Sequence, residues 1–328
     1  EHLSFIQDTH FSIDNRNFID HTYYLHSEET TFEKDENGFF KVQDGKKLYV
    51  DTVDGKDPAA VMKLSISPEG KLVYYAGGIY PVSRFRDRDP AIPIVYRSSK
   101  VSDTLTLQWS NDSSLTDDPA YRKQVISGIP VISYRRCYDK SAEDTTCEDF
   151  AAGGTALKDQ KAFVLDIRGN IGGDDSYFLQ WRQNYTGNRD LQWSATGSDQ
   201  IELQSRAGMY ILAKALQNQS KVSDAGKQMV ESSMKSYQNG KNSWQLTSYS
   251  PLEQSENQNV IFVLVDTGDA SSGEDIISEL KTMKNVVIVG TNTAGCMLSN
   301  AEVQVVLPSS KLMVRCGNWL SLYNPEVF

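Results

Sequence analysis

The chain has 328 residues, of which 39% are hydrophobic and 23% charged, the composition of an ordinary globular protein with room for one large domain or two smaller ones. A formal charge of -10 argues against a nucleic-acid partner, because such binding relies on clustered Lys and Arg. The longest apolar runs, such as Val260-Ile-Phe-Val-Leu-Val265, are strand-sized and far short of the ~20 residues of a membrane helix, so no membrane span is expected.

In chain order, residues 1–120 read as a β-rich half with short β-prone runs at Lys46–Val53 and Leu72–Tyr75. All four histidines, His2, His10, His21 and His26, fall near its start. Loop composition at Arg84–Pro90 and Ser110–Pro119 places a boundary near residue 120. Residues 121–328 then read as an α/β core. The opening at Glu1, with neither Met nor a charged-then-apolar leader, is read as a chain whose signal peptide has been removed or left out.

Four cysteines occur, Cys137, Cys147, Cys296 and Cys316, none in C-x-x-C spacing, which argues against a zinc knuckle or redox motif. Cys137 and Cys147 flank a polar stretch that a disulfide could close in an oxidising compartment; two unpaired thiols are equally compatible. From Lys161 onward the pattern becomes strands joined by helices, starting with Ala162–Ile167. Residues 205–237 are helix-prone, with Met209, Ile211, Leu212 and Leu216 at near-helical spacing and Gly240 as a stop. A strand over 259–266, a helix from about Ser271 to Met283 and a strand over 285–290 should form a parallel crossover.

Three blocks could carry chemistry. Asp166-Ile-Arg-Gly-Asn-Ile-Gly-Gly173 follows an apolar strand, and its glycines allow positive φ and amides turned toward an open site, as an oxyanion requires; an ordinary Gly-rich turn would look the same. Asp269-Ala-Ser-Ser-Gly-Glu274 puts Ser271 at a helix start, where the Ser272 N–H lies in a favourable field. Ser271-x-x-Glu274 is equally a capping box. A serine nucleophile needs a base, and Leu3-Ser-Phe-Ile-Gln-Asp-Thr-His10 offers His10. His21 and His26 lack H-E-x-x-H zinc spacing, and no metal or other cofactor is expected.

Together these blocks resemble the carboxyl-terminal processing, or tail-specific, serine peptidases. The first is similar to that family's Asp-[Leu/Ile]-Arg-Gly-Asn-x-Gly-Gly block and the second to its Ser-x-x-Glu block, in the same order. Ile288-Val-Gly-Thr-Asn-Thr-Ala-Gly295 resembles its Val-Gly-x-x-Thr-x-Gly segment. Leu3-x-x-Ile6-x-Asp8-x-His10 resembles the histidine motif of one branch. Where the serine/lysine branch carries its lysine, this chain has Cys296, which cannot act as an amine base. The resemblance therefore points to the histidine-using branch, similar to the tricorn protease core and the interphotoreceptor retinoid-binding protein modules.

That resemblance implies an α/β fold, α+β overall, with a crotonase/ClpP-like ββα-type core beside a β-rich N-terminal half. It also implies a serine endopeptidase acting on protein or peptide substrates through an acyl-enzyme on Ser271. His10 would be the base, the amides of Gly172, Gly173 and Ser272 the oxyanion donors, and Glu326 a further acidic group. The competing implication is an inactive binding protein of the same fold. An α/β hydrolase fits less well, since its histidine follows the serine, whereas every histidine here precedes Ser271. The helix-prone 205–237 stretch is expected to be an insertion that could cap the cleft. An extracellular or cell-envelope location is expected; the oligomeric state is left open.

Overall fold

The computed structural model describes residues 11–14, 16, 20, 22–67, 69–85, 90–97, 102–109, 119–141, 143–191, 199–203, 205, 227–228, 231–232, 234–235, 244–247, 257–297 and 299–322. The chain divides into two units, Asp20–Ser113 on the one hand and Glu1–Ile19 with Ser114–Phe328 on the other. The expected boundary near 120 would have kept the first residues with the β-rich half. The described ones instead join the later unit, where Ser12 and Ile13 pair with Arg315 and Val314.

Alternation builds the Asp20–Ser113 unit. In Ala91–Tyr96 the side chains of Ile92, Ile94 and Tyr96 are buried while Pro93 and Val95 face out, the period-two signature of a sheet with one covered face. Eight strands share the sheet, in the order Met62–Ile66, Leu72–Pro81, Thr22–Asp35, Gly38–Gln43, Lys46–Val53, Ala91–Tyr96, Ser102–Thr106, with Gln108–Trp109 paired onto Thr22–Asp35. Two-residue turns set the hairpin registers. Asp44 and Gly45 both have positive φ, 50° and 72°, as the favoured hairpin turns demand. Leu25, Phe32, Val50, Ile92, Ile94 and Tyr96 form the core.

The later unit is organised around a five-stranded sheet ordered β1 (Tyr121–Ile126), β2 (Ile129–Tyr134), β3 (Ala162–Asp166), β4 (Val260–Val265), β5 (Val286–Gly290). β1 and β2 form an antiparallel hairpin across Ser127-Gly128, and β2 through β5 run parallel. The expected crossover is present, with α3 (Ser272–Lys281) between β4 and β5. Helices α1 (Thr146–Gly153) and α2 (Ser176–Thr186) contribute Phe150, Phe178, Trp181 and Tyr185 to a core completed by Phe163, Leu165, Ile261 and Val263. Arg182 of α2 forms an ion pair with Glu279 of α3, both almost fully buried, which fixes the two helices to each other.

A further antiparallel sheet joins Ser12–Ile13, Met313–Leu322, Asp199–Leu203, Trp244–Thr247 and Ser299–Val306. Within 205–237, residues 227–228, 231–232 and 234–235 are helical; the rest of that expected helical stretch, apart from residue 205, lies outside the described residues. No described helix is long and apolar enough to cross a membrane.

Candidate active site

In the parallel sheet Ser133 stands beside Asp166, Asp166 beside Leu264, and Val265 beside Gly290. The turns that leave β3, β4 and β5 therefore emerge along one edge, the carboxyl end of parallel strands where open α/β sheets place their ligands. These three turns hold the three sequence blocks.

Asp166 anchors the first. Its carboxylate takes two hydrogen bonds from Arg135, from Nη1 at 2.9 Å and Nη2 at 2.8 Å, and two from Arg168, from Nε and Nη2, both at 2.8 Å. Burial alone would raise its pKa; the bonds from Arg168 and Arg135 outweigh that and bring it down to about 2. Asn170, fully buried, donates from Nδ2 to the Tyr134 carbonyl and accepts the Gly172 N–H at 2.9 Å.

Two more carboxylates join this turn to the one that carries Ser271. Asp266 Oδ1 accepts the N–H groups of Gly169 and Gly268, each at 2.9 Å. Asp269, fully buried, accepts the Asn170 N–H on Oδ1 and the Asp266 N–H on Oδ2. Burial pushes its pKa up to about 8 despite these bonds. The backbone adds a bond from the Ala270 N–H to the Asn170 carbonyl at 2.9 Å.

Ser271 sits at the junction of this turn and α3 with φ 53° and ψ -127°, a region L-residues rarely occupy and whose strain costs about 1–3 kcal/mol. Its side chain makes no capping bond, and both Glu274 carboxylate oxygens are taken elsewhere. Glu274 accepts the Thr293 hydroxyl and the Gly295 N–H on Oε1, and the Cys296 N–H on Oε2. The capping-box alternative is thus not realised, and the serine hydroxyl is not spent on the helix.

Glycine is obligatory beside this turn. A Cβ on Gly172, whose φ is 88°, would lie 2.7 Å from the Ser272 nitrogen, 2.8 Å from the Ala270 oxygen and 2.9 Å from the Ser271 Cβ. Gly173, with φ 138°, backs onto Cys137, where a Cβ would meet the carbonyl oxygen at 2.5 Å. Ser272 Oγ donates to the Gly173 carbonyl at 2.9 Å, which holds the two blocks together. The three amides expected to serve the oxyanion do not stand equally. The Gly172 N–H is committed to Asn170 Oδ1, so that residue provides close approach, whereas the amides of Gly173 and Ser272 have no acceptor among the described residues.

His10, the expected base, and Glu326 both lie outside the described residues, as do His2, His21 and Asp8. His26 belongs to the β-rich unit and pairs with Glu28 at 3.0 Å. Cys137 and Cys147 are buried free thiols, so the disulfide alternative is not the state observed. Their side chains donate to Asn170 Oδ1 and to the Arg136 carbonyl, and burial pushes each thiol pKa up to about 12. Sequence reasoning missed Arg135 and the loop-directed role of Glu274. Neither has a local signal, because each partner lies in a different strand or turn.

A strained serine at a strand-to-helix junction, beside amides that have no acceptor among the described residues, is an arrangement that serine hydrolases use. The family model of peptidase family S41 matches residues 140–320, and the chain belongs to that family; it is a serine peptidase and its substrates are proteins. Among solved structures, the chain is similar to mature CPAF, with 12% identity, 96% of this chain and 76% of that one covered, and a TM-score of 0.41. It is similar to a structure assigned as an S41 protease from Bacteroides fragilis, with 15% identity, 98% and 76% covered, and a TM-score of 0.34. A peptidase-assigned structure from Parabacteroides merdae has 16% identity, 64% and 56% covered, and a TM-score of 0.37. These superpositions are loose, and membership rests on the family model. No curated protein sequence matches significantly.

Proposed function

We propose that the protein is an endopeptidase in which Ser271 attacks the scissile carbonyl, His10 takes the serine proton, and the amides of Gly173 and Ser272 receive the oxyanion. The observation that carries this reading is the backbone of Ser271, held at φ 53° with its side chain uncapped, beside two amides that have no acceptor among the described residues. In the first step the Oγ–C bond forms as the proton passes to the imidazole, which then delivers it to the leaving amine. Water activated by the same imidazole hydrolyses the acyl-enzyme and frees Ser271. Cys296 in place of an amine at the end of the third block supports a histidine base. The reading includes an extracellular or cell-envelope setting for the reaction.

Labelling with a fluorophosphonate probe tests the proposal. The native protein should be labelled at Ser271, Ser271→Ala should not, and His10→Ala should react at least ~100-fold more slowly. An unlabelled native protein, or labelling that survives Ser271→Ala, would overturn it.

A further inference from the structure

Glu274 is a buried carboxylate that the reaction above does not use. Only 3% of its surface is exposed, and it faces three donors from one short loop: the Thr293 hydroxyl, the Gly295 N–H at 2.8 Å and the Cys296 N–H at 2.7 Å. The loop begins where β5 ends, with Thr291 N–H bonded to the Val265 carbonyl at 3.2 Å, and midway Ala294 N–H bonds to the Asp269 carbonyl at 2.9 Å. Both of those attachments are backbone to backbone and independent of side-chain identity. The third, to Glu274, depends on one side chain, placed one helical turn after Ser271 on the same helix.

We infer that Glu274 is a positioning residue that holds the 291–296 loop against the nucleophile turn as one wall of the peptide-binding cleft. The loop is fastened on both sides of the nucleophile, through Asp269 before it and Glu274 after it. Its residues are half-buried except Gly295, which is exposed and faces open space, with nothing within 4 Å of the position a Cβ would take. A peptide whose scissile carbonyl reaches Ser271 therefore runs along this loop. A neutral isostere cannot replace the carboxylate. All three partners donate and both oxygens accept, whereas glutamine has one oxygen and an NH2 that would meet an N–H head-on. The carboxylate thus acts through the loop and touches no reacting atom.

The inference rests on Ser271 as the nucleophile, and two readouts separate its failure from failure of that reading. The first is hydrogen exchange, which needs no activity. The Gly295 and Cys296 amides should be protected in the native protein and exchange at least about tenfold faster in Glu274→Gln, the equivalent of one lost charge-assisted bond. Thr293→Val, which removes one donor and leaves both amide bonds, should shift them less. Unchanged loop exchange in Glu274→Gln would overturn the inference, even if Ser271 proved not to be the nucleophile.

The second readout is kinetic, with a fluorogenic peptide taken from a library cleaved by the native enzyme. Glu274→Gln should lower kcat/KM about tenfold, chiefly through KM, while the rate of Ser271 labelling by the small fluorophosphonate stays within about threefold of native. An equal loss in both assays would overturn the role in peptide binding and leave Glu274 as a support of the nucleophile turn itself. Native labelling lost in Ser271→Ala keeps the nucleophile reading intact under either result.

Discussion

The Asp20–Ser113 unit and the site-bearing edge of the parallel sheet are held together by different means. In the β-rich unit, alternating side chains such as Ile92, Ile94 and Tyr96 bury one face, and an ion pair such as Lys47–Asp35 lies toward the surface. At the site edge the carboxylates of Asp266, Asp269 and Glu274 accept backbone amides from neighbouring turns. The first arrangement tolerates change as long as volume and alternation survive. The second fixes individual backbone atoms, because a buried amide that loses its acceptor has no substitute nearby. The contrast shows where this chain invests in shape and where it invests in placement.

The sharpest break of this comparison is Gly172→Ala. The new methyl would meet the Ser272 nitrogen and the Ala270 oxygen below 3 Å at a positive φ, displacing the Ser271 turn. Fluorophosphonate labelling should fall by at least ~100-fold, and near-native labelling would show that this contact is dispensable. In the β-rich unit, Ile94→Ala opens a cavity in a fully buried position and should cost about 2–5 kcal/mol in denaturant unfolding. Labelling per folded molecule should stay native, and a parallel loss of labelling would dissolve the distinction between the two regions.

Acid sharpens the comparison next. Asp166 has a folded pKa of about 2 against an ordinary 3.8, so its contribution is complete above pH ~4 and is lost as pH falls through 2, on the order of 2 kcal/mol. Asp269 has the opposite sign. Its folded pKa of about 8 lies above the ordinary 3.8, so the native state binds the extra proton between those values, and this stabilisation is complete below pH ~4 and is lost as pH rises from there through 8. Unfolding curves of Asp166→Asn across pH 2–5 should show a shallower acid-side slope than the native protein, the remainder coming from other lowered carboxylates such as Asp144; an unchanged slope would remove Asp166 from the account. The smallest effect is expected at Lys47→Ala, an exposed pair with Asp35, where the melting temperature should not move measurably.

The three blocks that the structure brings to one sheet edge were legible because each is local in sequence. Apolar runs of strand length marked β3, β4 and β5, and glycine-bearing turns marked the chemistry between them. The third block was visible, but not that its amides answer to Glu274. Read locally, Ser271-x-x-Glu274 describes a helix cap, and only a loop brought back by β5 redirects the carboxylate. The same limit hid Arg135, whose partner Asp166 is one strand away, and the pairing of Ser12–Ile13 with Met313–Leu322 at the far end of the chain. Contacts between distant segments leave no periodicity to read. Asp44-Gly45 and Ser127-Gly128 take positive φ at hairpin turns, yet dipeptides of that kind report a turn and not the neighbours its strands acquire.

The central claim is that Ser271 is the nucleophile and that the Gly173 and Ser272 amides receive the oxyanion. A crystal structure of the fluorophosphonate adduct tests both at once. The account expects phosphorus on Ser271 Oγ with its phosphoryl oxygen about 2.7–3.1 Å from both nitrogens and the Gly172 N–H still on Asn170. An adduct on another serine, or a phosphoryl oxygen turned away from these two amides, would contradict it.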